Sequence, residues 1–328
     1  MVRVITLDEP FLPVQNDLGE GCLWDSKTGL LHWVDIFRST IHTLDPKTMN
    51  HSVDDYSECD TVITSLIQLK DGSGFIGSHL KHLAYFPNPT KPTHPFPKST
   101  TTAITKRTSQ PLEGSKAFEI PAKYFQAGED GVHRFNDGAA DAKGRLWIGT
   151  MGHKEAGYNG QLFRYDPDGH VELVYEGIGV SNGIGFSPDN KIMYYIDSPT
   201  RVIYQMDFDL ESGRVSNRRT LLDSSSFDDG VFDGLCMDAE GAVWAARWGD
   251  NRVVRVLPDG KVDLEIRIPG ARCITCCVFG GDDMEDLFIV TASCKDKPEL
   301  NAKYPQGGDL FKVRVDGIKG VERYKFGN

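Results

Sequence analysis

"RFNDGAADAKGRLWIGTM", residues 134–151, opens on polar, turn-forming residues and closes on a strand pattern carrying Leu146, Trp147 and Ile148. Its second half, "GRLWIGT", recurs along the chain as "GLLHWVDI", "GSGFIGS", "KIMYYIDS", "GAVWAAR" and "EDLFIVT", each with apolar positions around an aromatic, most of them opening on a small or turn residue. Aligned in this way, Trp33, Phe75, Trp147, Tyr195, Trp244 and Phe288 fall in register, separated by 42, 72, 48, 49 and 44 residues. A repeat of that length marks a supersecondary unit that buries its apolar face only against its neighbours. Several aromatic strands are followed by a second strand ending in a turn, as in "TIHTLDPKT", "QLFRYDPDG", "YQMDFDLESG" and "RVVRVLPDG", so each unit reads as a few short antiparallel strands. No segment keeps a 3.6-residue apolar period over three turns, which disfavours a parallel sheet with crossover helices. The pattern predicts an all-β fold, a six-bladed β-propeller with a central channel, as one domain over residues 1–328.

Two departures from the repeat carry their own expectations. The swollen gap contains residues 86–115, whose Pro, Thr and Lys content cannot support a central strand and reads as an inserted surface loop. The N-terminal "VRVITL" is expected to supply the outer strand of the last blade and so close the ring.

Composition narrows the function classes. With 39% apolar and 25% charged residues the chain is an ordinary globular protein. A formal charge of -11 argues against a nucleic-acid partner, because phosphate tracking draws on clustered Lys and Arg. No apolar run has the length of a bilayer-spanning helix, which argues against a membrane partner, and "MVRVITLDEPFLP" lacks the apolar core of a signal peptide, which predicts a cytoplasmic protein. Seven scattered cysteines fit buried thiols better than a secreted disulfide framework. "CITC", residues 273–276, has the C-x-x-C spacing but neither a second ligand pair for zinc nor a strand and helix around it. The match Asn50-His51-Ser52 to a glycosylation site means little without a secretion signal.

Counting back from the register aromatics gives the candidate site. Glu20 lies 13 residues before Trp33 and Asn182 lies 13 before Tyr195; Asn136 lies 11 before Trp147 and Asp233 lies 11 before Trp244. Thr64 and Thr275 stand near the equivalent places in the second and sixth units. Taken singly, "LGEG", "FNDG", "VSNG" and "FDG" are turn sequences. Recurring at near-matching offsets in four units, they predict convergence on one central ligand. Glu20, Asn182 and Asp233 offer only oxygens, which suits a hard cation such as Ca²⁺ or Mg²⁺. The nine histidines show no H-E-x-x-H pattern, so a histidine zinc site is not expected, and His133 beside Arg134 reads as a surface or supporting group. "GVSNG", residues 179–183, matches the G-x-S-x-G serine elbow, but no helix follows it and no histidine sits at a repeat-related position, so Ser181 is expected to be dispensable as a nucleophile.

The longer phrases "LGEGCLWD", "RFNDGAADAKGRLWIGTM", "SNGIGFSPDNKIMYYIDS", "SGRVSNRRTLL", "FDGLCMDAEGAVWAA", "CCVFGG" and "GGDLFKVRVDGIKG", in order from near residue 18 to near 320, resemble the senescence marker protein, gluconolactonase and regucalcin family. The resemblance implies a six-bladed propeller that binds one divalent metal, Ca²⁺ foremost with Zn²⁺, Mg²⁺ and Mn²⁺ as the other candidates, and hydrolyses a sugar (aldono-) lactone. It implies Glu20, Asn182 and Asp233 as metal ligands and Arg134 and Asn136 as substrate-binding residues; as a carboxylate touching both metal and water, Asp233 is also expected to act as the general base. In regucalcin-like members a Glu follows the "GTM" phrase and contacts the sugar. Here the text reads "GTMGHKEAG", placing Lys154 at that substrate position with Glu155 one step on, which implies a different sugar selectivity. A Ca²⁺-binding regulatory protein without turnover and an organophosphate or aryl-ester hydrolase are the alternative readings. Oligomeric state is not readable.

Overall fold

The computed structural model describes residues 2–59, 62–79, 82–94, 96, 104–106, 134–152, 160–225, 227 and 230–328. The recurring phrase folds as a turn feeding a strand. In "DAKGRLW" the Asp141 carboxylate accepts from the backbone N–H groups of Lys143 (2.9 Å) and Arg145 (3.1 Å) and from the Trp147 indole (2.9 Å), while Gly144 turns the chain at φ 78°, where a Cβ would be strained. "DAEGAVW" repeats the device: Asp238 accepts from Glu240, Ala242 and the Trp244 indole, and Gly241 sits at φ 84°. One carboxylate thus shapes the turn and satisfies a buried indole N–H that would otherwise cost stability. All six register aromatics are at most 1% exposed.

The strands follow the units. After β1 (Arg3–Thr6) come β2 (Gly19–Asp25), β3 (Leu30–Asp35), β4 (Thr40–Asp45) and β5 (Asn50–Asp55), then β6 (Leu66–Gln68), β7 (Gly74–His79), β8 (His82–Pro87) and β9 (Ile104–Lys106). The third unit is β10 (Arg134–Ala140), β11 (Leu146–Met151), β12 (Gly160–Tyr165) and β13 (Val171–Ile178), and the fourth is β14 (Ser181–Phe186), β15 (Ile192–Asp197), β16 (Val202–Asp209) and β17 (Arg214–Asp223). β18 (Val231–Met237), β19 (Val243–Trp248), β20 (Arg252–Val256) and β21 (Val262–Arg267) form the fifth, and β22 (Cys273–Gly280), β23 (Asp286–Ala292) and β24 (Phe311–Arg314) the sixth. Within each unit neighbouring strands pair antiparallel.

The arrangement is all-β and propeller-like. The first strands of the six units, β2, β6, β10, β14, β18 and β22, touch one another in a closed cycle. Six separate blades are not what the hydrogen bonding gives: the described strands form five sheets, of eight, five, four, four and three strands. The fifth and sixth units fuse because Trp248 at the end of β19 pairs with Cys273 at the start of β22. Apolar clusters fill the wedges between consecutive units, with Trp147, Tyr195 and Phe186 between the third and fourth and Trp24, Trp33 and Phe288 between the sixth and first.

One sequence expectation needs correction. β1 joins β21, the outer strand of the fifth unit, in parallel rather than the last unit; the last unit is met further on, where Leu12 bridges Leu310. Of residues 86–115, those described are 86–94, 96 and 104–106, and those after β8 add to the edge of the first sheet. β9 lies parallel to β5 as a fifth strand of the first sheet, and Thr90 bonds both oxygens of Asp54 (2.9 and 2.6 Å) while Phe96 N–H donates to Met49 O (2.9 Å). Prolines exclude a central strand, but the free edge of β5 still accepts an added one.

Candidate functional site

Five of the six inner strands lose register near their first residues. The break falls between Glu20 and Leu23 in β2, Phe135 and Gly138 in β10, Asn182 and Ile184 in β14, Phe232 and Leu235 in β18, and Ile274 and Cys276 in β22. A bulge frees residues from the ladder and re-aims their side chains. The polar residues singled out by the repeat, Glu20, Asn136, Asn182, Asp233 and Thr275, all lie at these breaks. β6, only three residues long, is the exception, and Thr64 precedes it.

Hydrogen bonds join the set. The Arg134 Nη1 donates to Asn136 Oδ1 (2.7 Å) and to Phe135 O (2.9 Å). The Asn136 Nδ2 donates to Asn182 Oδ1 (3.2 Å) and Ser181 O (2.8 Å). The Asn182 amide in turn donates to Ser198 Oγ (2.8 Å) and hydrogen-bonds the Asp233 carboxylate. Thr64 and Thr275 instead brace the backbone, donating to Asn136 O (2.7 Å) and Gly19 O (2.5 Å). Glu20, Arg134 and Asn136 are half-buried, whereas Asn182 and Asp233 are buried.

The electrostatics of the site are those of crowded acids. Burial pushes the Asp233 carboxyl well above the usual range, reinforced by Asp137 and opposed by Asn182 and Arg134. Burial does the same to Glu20, with Asp233 adding to it. Arg134 is pulled down to about 10 by burial, against the attraction of Glu20 and Asp233. Like charges held out of water relieve this cost by taking up protons or a cation. The donor set therefore fits a hard divalent ion at Glu20, Asn182 and Asp233, all of them oxygen donors. It is a sparse set: among the described residues no three His, Cys, Asp or Glu side chains converge as a metal cage.

Sequence reasoning assigned no role to Asp137, Ser198 or Arg323. Asp137 shares the bulge with Asn136, and burial raises its carboxyl while Arg323 lowers it. The expected Lys154 contact lies outside the described residues. Ser181 is fully buried, and its hydroxyl accepts from Tyr195 OH (2.9 Å); among the described residues no imidazole is bonded to it. Cys273 and Cys276 lie on a strand and take different sulfur partners, so the C-x-x-C spacing makes no single site. No described helix is long and apolar enough to cross a membrane.

The chain is a propeller-like ring whose first strands gather acids and an arginine, and comparison gives the family. Residues 18–293 match the family described as "SMP-30/Gluconolactonase/LRE-like region", and the chain belongs to it. It is 30% identical over 312 residues to the putative sugar lactone lactonase YvrE of Bacillus subtilis, covering 91% of each chain. It is 38% identical over 196 residues to the regucalcin of Danio rerio, covering 59% of this chain and 66% of that one. The structure of a calcium-binding protein, regucalcin, from Agrobacterium tumefaciens superposes with a TM-score of 0.77 at 23% identity, covering 100% of this chain and 99% of that one, and supports the fold alone.

Proposed function

We propose that this chain is a divalent-metal-dependent lactonase, a single propeller-like domain of six repeat units that hydrolyses a sugar (aldono-) lactone such as gluconolactone to the aldonic acid. The observation that carries the reading is the pair of carboxyls, half-buried Glu20 and buried Asp233, each shifted toward the neutral form and gathered with the Asn182 amide in a lactonase-family ring. Glu20, Asn182 and Asp233 would hold the ion. Ca²⁺ suits their oxygens best, with Mg²⁺, Mn²⁺ and Zn²⁺ as the other candidates. Bound there, it would supply Lewis acidity toward a lactone carbonyl.

The chain's own groups account for the rest. Asp233 takes the proton of the attacking water as the C–O bond forms. Both hydrogen bonds that Arg134 makes among the described residues use Nη1, so its remaining N–H groups can orient the carbonyl oxygen or sugar hydroxyls. Asn136 sets the Arg134 guanidinium and the Asn182 amide at once.

A substrate panel tests the reading: aldonolactones, a paraoxon-like phosphotriester and aryl esters, each followed by acid release with Ca²⁺, Mg²⁺, Mn²⁺ or Zn²⁺ supplied. Lactones should be turned over in preference. Faster phosphotriester hydrolysis would make the chain an organophosphate hydrolase, and metal binding with no turnover of any substrate would make it a calcium-binding regulator.

A further inference from the structure

The run "CITCC", residues 273–277, has no part in the proposed reaction, yet on β22 it brings three thiols to three different partners. The Cys276 Sγ lies 3.0 Å from Cys22 Sγ on β2. The Cys277 Sγ lies 3.6 Å from Cys236 Sγ on β18, and Cys273 hydrogen-bonds Cys294 just beyond β23. All six are buried free thiols.

The Cys22–Cys276 pair stands apart for its closeness and its reach. It spans 254 residues and joins the first strand of the first unit to the first strand of the last. These two strands belong to different sheets, so no ladder of hydrogen bonds joins them. The C-terminal segment passes nearby, held by bridges from Gly320 to Asp238, Tyr324 to Ala140 and Phe326 to Leu69. It carries Arg323 within electrostatic reach of both thiols. The Arg323 Nη2 donates to Leu235 O (2.9 Å), while its Nε is buried without a partner. The guanidinium opposes the rise that the facing Cys22 thiol and burial impose on the Cys276 thiol.

We propose that Cys22 and Cys276 form a redox pair that ties the first repeat unit to the last when hydrogen peroxide is the oxidant. One sulfur attacks the peroxide: an S–O bond forms, the O–O bond breaks and one water leaves. The other sulfur attacks the resulting sulfenic acid: the S–S bond forms, the S–O bond breaks and a second water leaves. Both thiol protons end in water, and the two electrons have reduced the peroxide. The bond restrains a very long loop in the unfolded chain, the case in which a cross-link stabilises most. A thiol reductant reverses it.

The test uses the whole chain, purified reduced and treated with hydrogen peroxide while folded. Free thiols are then blocked in denaturant and the unreduced protein is digested for mass spectrometry. A peptide joining Cys22 to Cys276, two hydrogens lighter than its parts, is expected, with a rise of about 5 °C in the unfolding midpoint that dithiothreitol abolishes. Cys236→Ala should keep the cross-link and Cys276→Ala should lose it. Counting the thiols lost in the wild type is an independent measure that does not depend on either variant folding, and a loss of two is expected. Cys276 found only as thiol or sulfinic acid, or joined to another cysteine, overturns the proposal.

Discussion

Asp233 is held between opposing influences, burial and Asp137 favouring its neutral form, Arg134 and the Asn182 amide its charged one. Replacing it by Asn keeps the size and one oxygen but removes the basicity. At saturating metal, Asp233→Asn should lower lactone turnover by roughly two to four orders of magnitude, with only a modest loss of metal affinity. Acid release measured across a metal titration separates the two effects. Asn136→Ala should behave differently, because the Asn136 amide positions both Arg134 and Asn182. Its loss should raise the KM for lactone by roughly tenfold and weaken metal binding a few-fold, read from the same titration. The polar residues of the site were legible in the sequence because the repeat set Glu20, Asn136, Asn182 and Asp233 at matching offsets. Asp137 was not, since strict alternation along β10 sends it to the face opposite Asn136, and only the bulge leaves both without a ladder partner. Arg323 lies in a tail outside the repeat and carries no motif.

The element that recurs is the turn before the second strand, and its carboxylate has more partners than a turn requires. Asp238 accepts from the Trp244 indole (2.9 Å) and pairs with Arg255 (2.7 Å), both buried. Asp238→Ala should destabilise the fold by on the order of 3 kcal/mol, as leaving buried donors unpaired does; Arg255 keeps Glu240 and Asp263. Denaturant unfolding measures it. At this scale the aromatic strands were readable because each is marked by an apolar core around its register residue. The pairings of β1 and β9 were not, because an edge strand is chosen by which free edge lies within reach, which no local pattern records. The fusion of the last two units rests on one residue pair, Trp248 with Cys273, and leaves no trace in spacing.

The whole molecule carries a pH dependence away from its centre. His32 is depressed to about 4 by burial, with Asp25 opposing, His51 to about 4 by burial, and His42 well below the usual range by burial and then by His51. Their neutral forms are the ones the fold accepts, so their contribution is fully present above about pH 6.5, the ordinary histidine value, and is lost as pH falls toward 4. His32→Gln keeps a partner for Thr43 and removes the charge, and should flatten the fall in the urea midpoint between pH 6.5 and 4. Asp309, raised by burial to about 6, acts in the opposite direction, its contribution being fully present below about pH 3.8 and lost as pH rises through 6. Repeat length made the ring legible from sequence; how the ring closes was not, because closure joins residues such as Cys22 and Cys276 that are 254 positions apart. The central claim, that this ring is a lactonase dependent on a metal held among its acids, is tested most directly by stripping the protein with a chelator and titrating divalent ions back while gluconolactone hydrolysis is followed by acid release. Hydrolysis at the uncatalysed rate in the stripped protein, restored in full by one equivalent of ion per chain, is the predicted result; undiminished turnover by the stripped protein would contradict it.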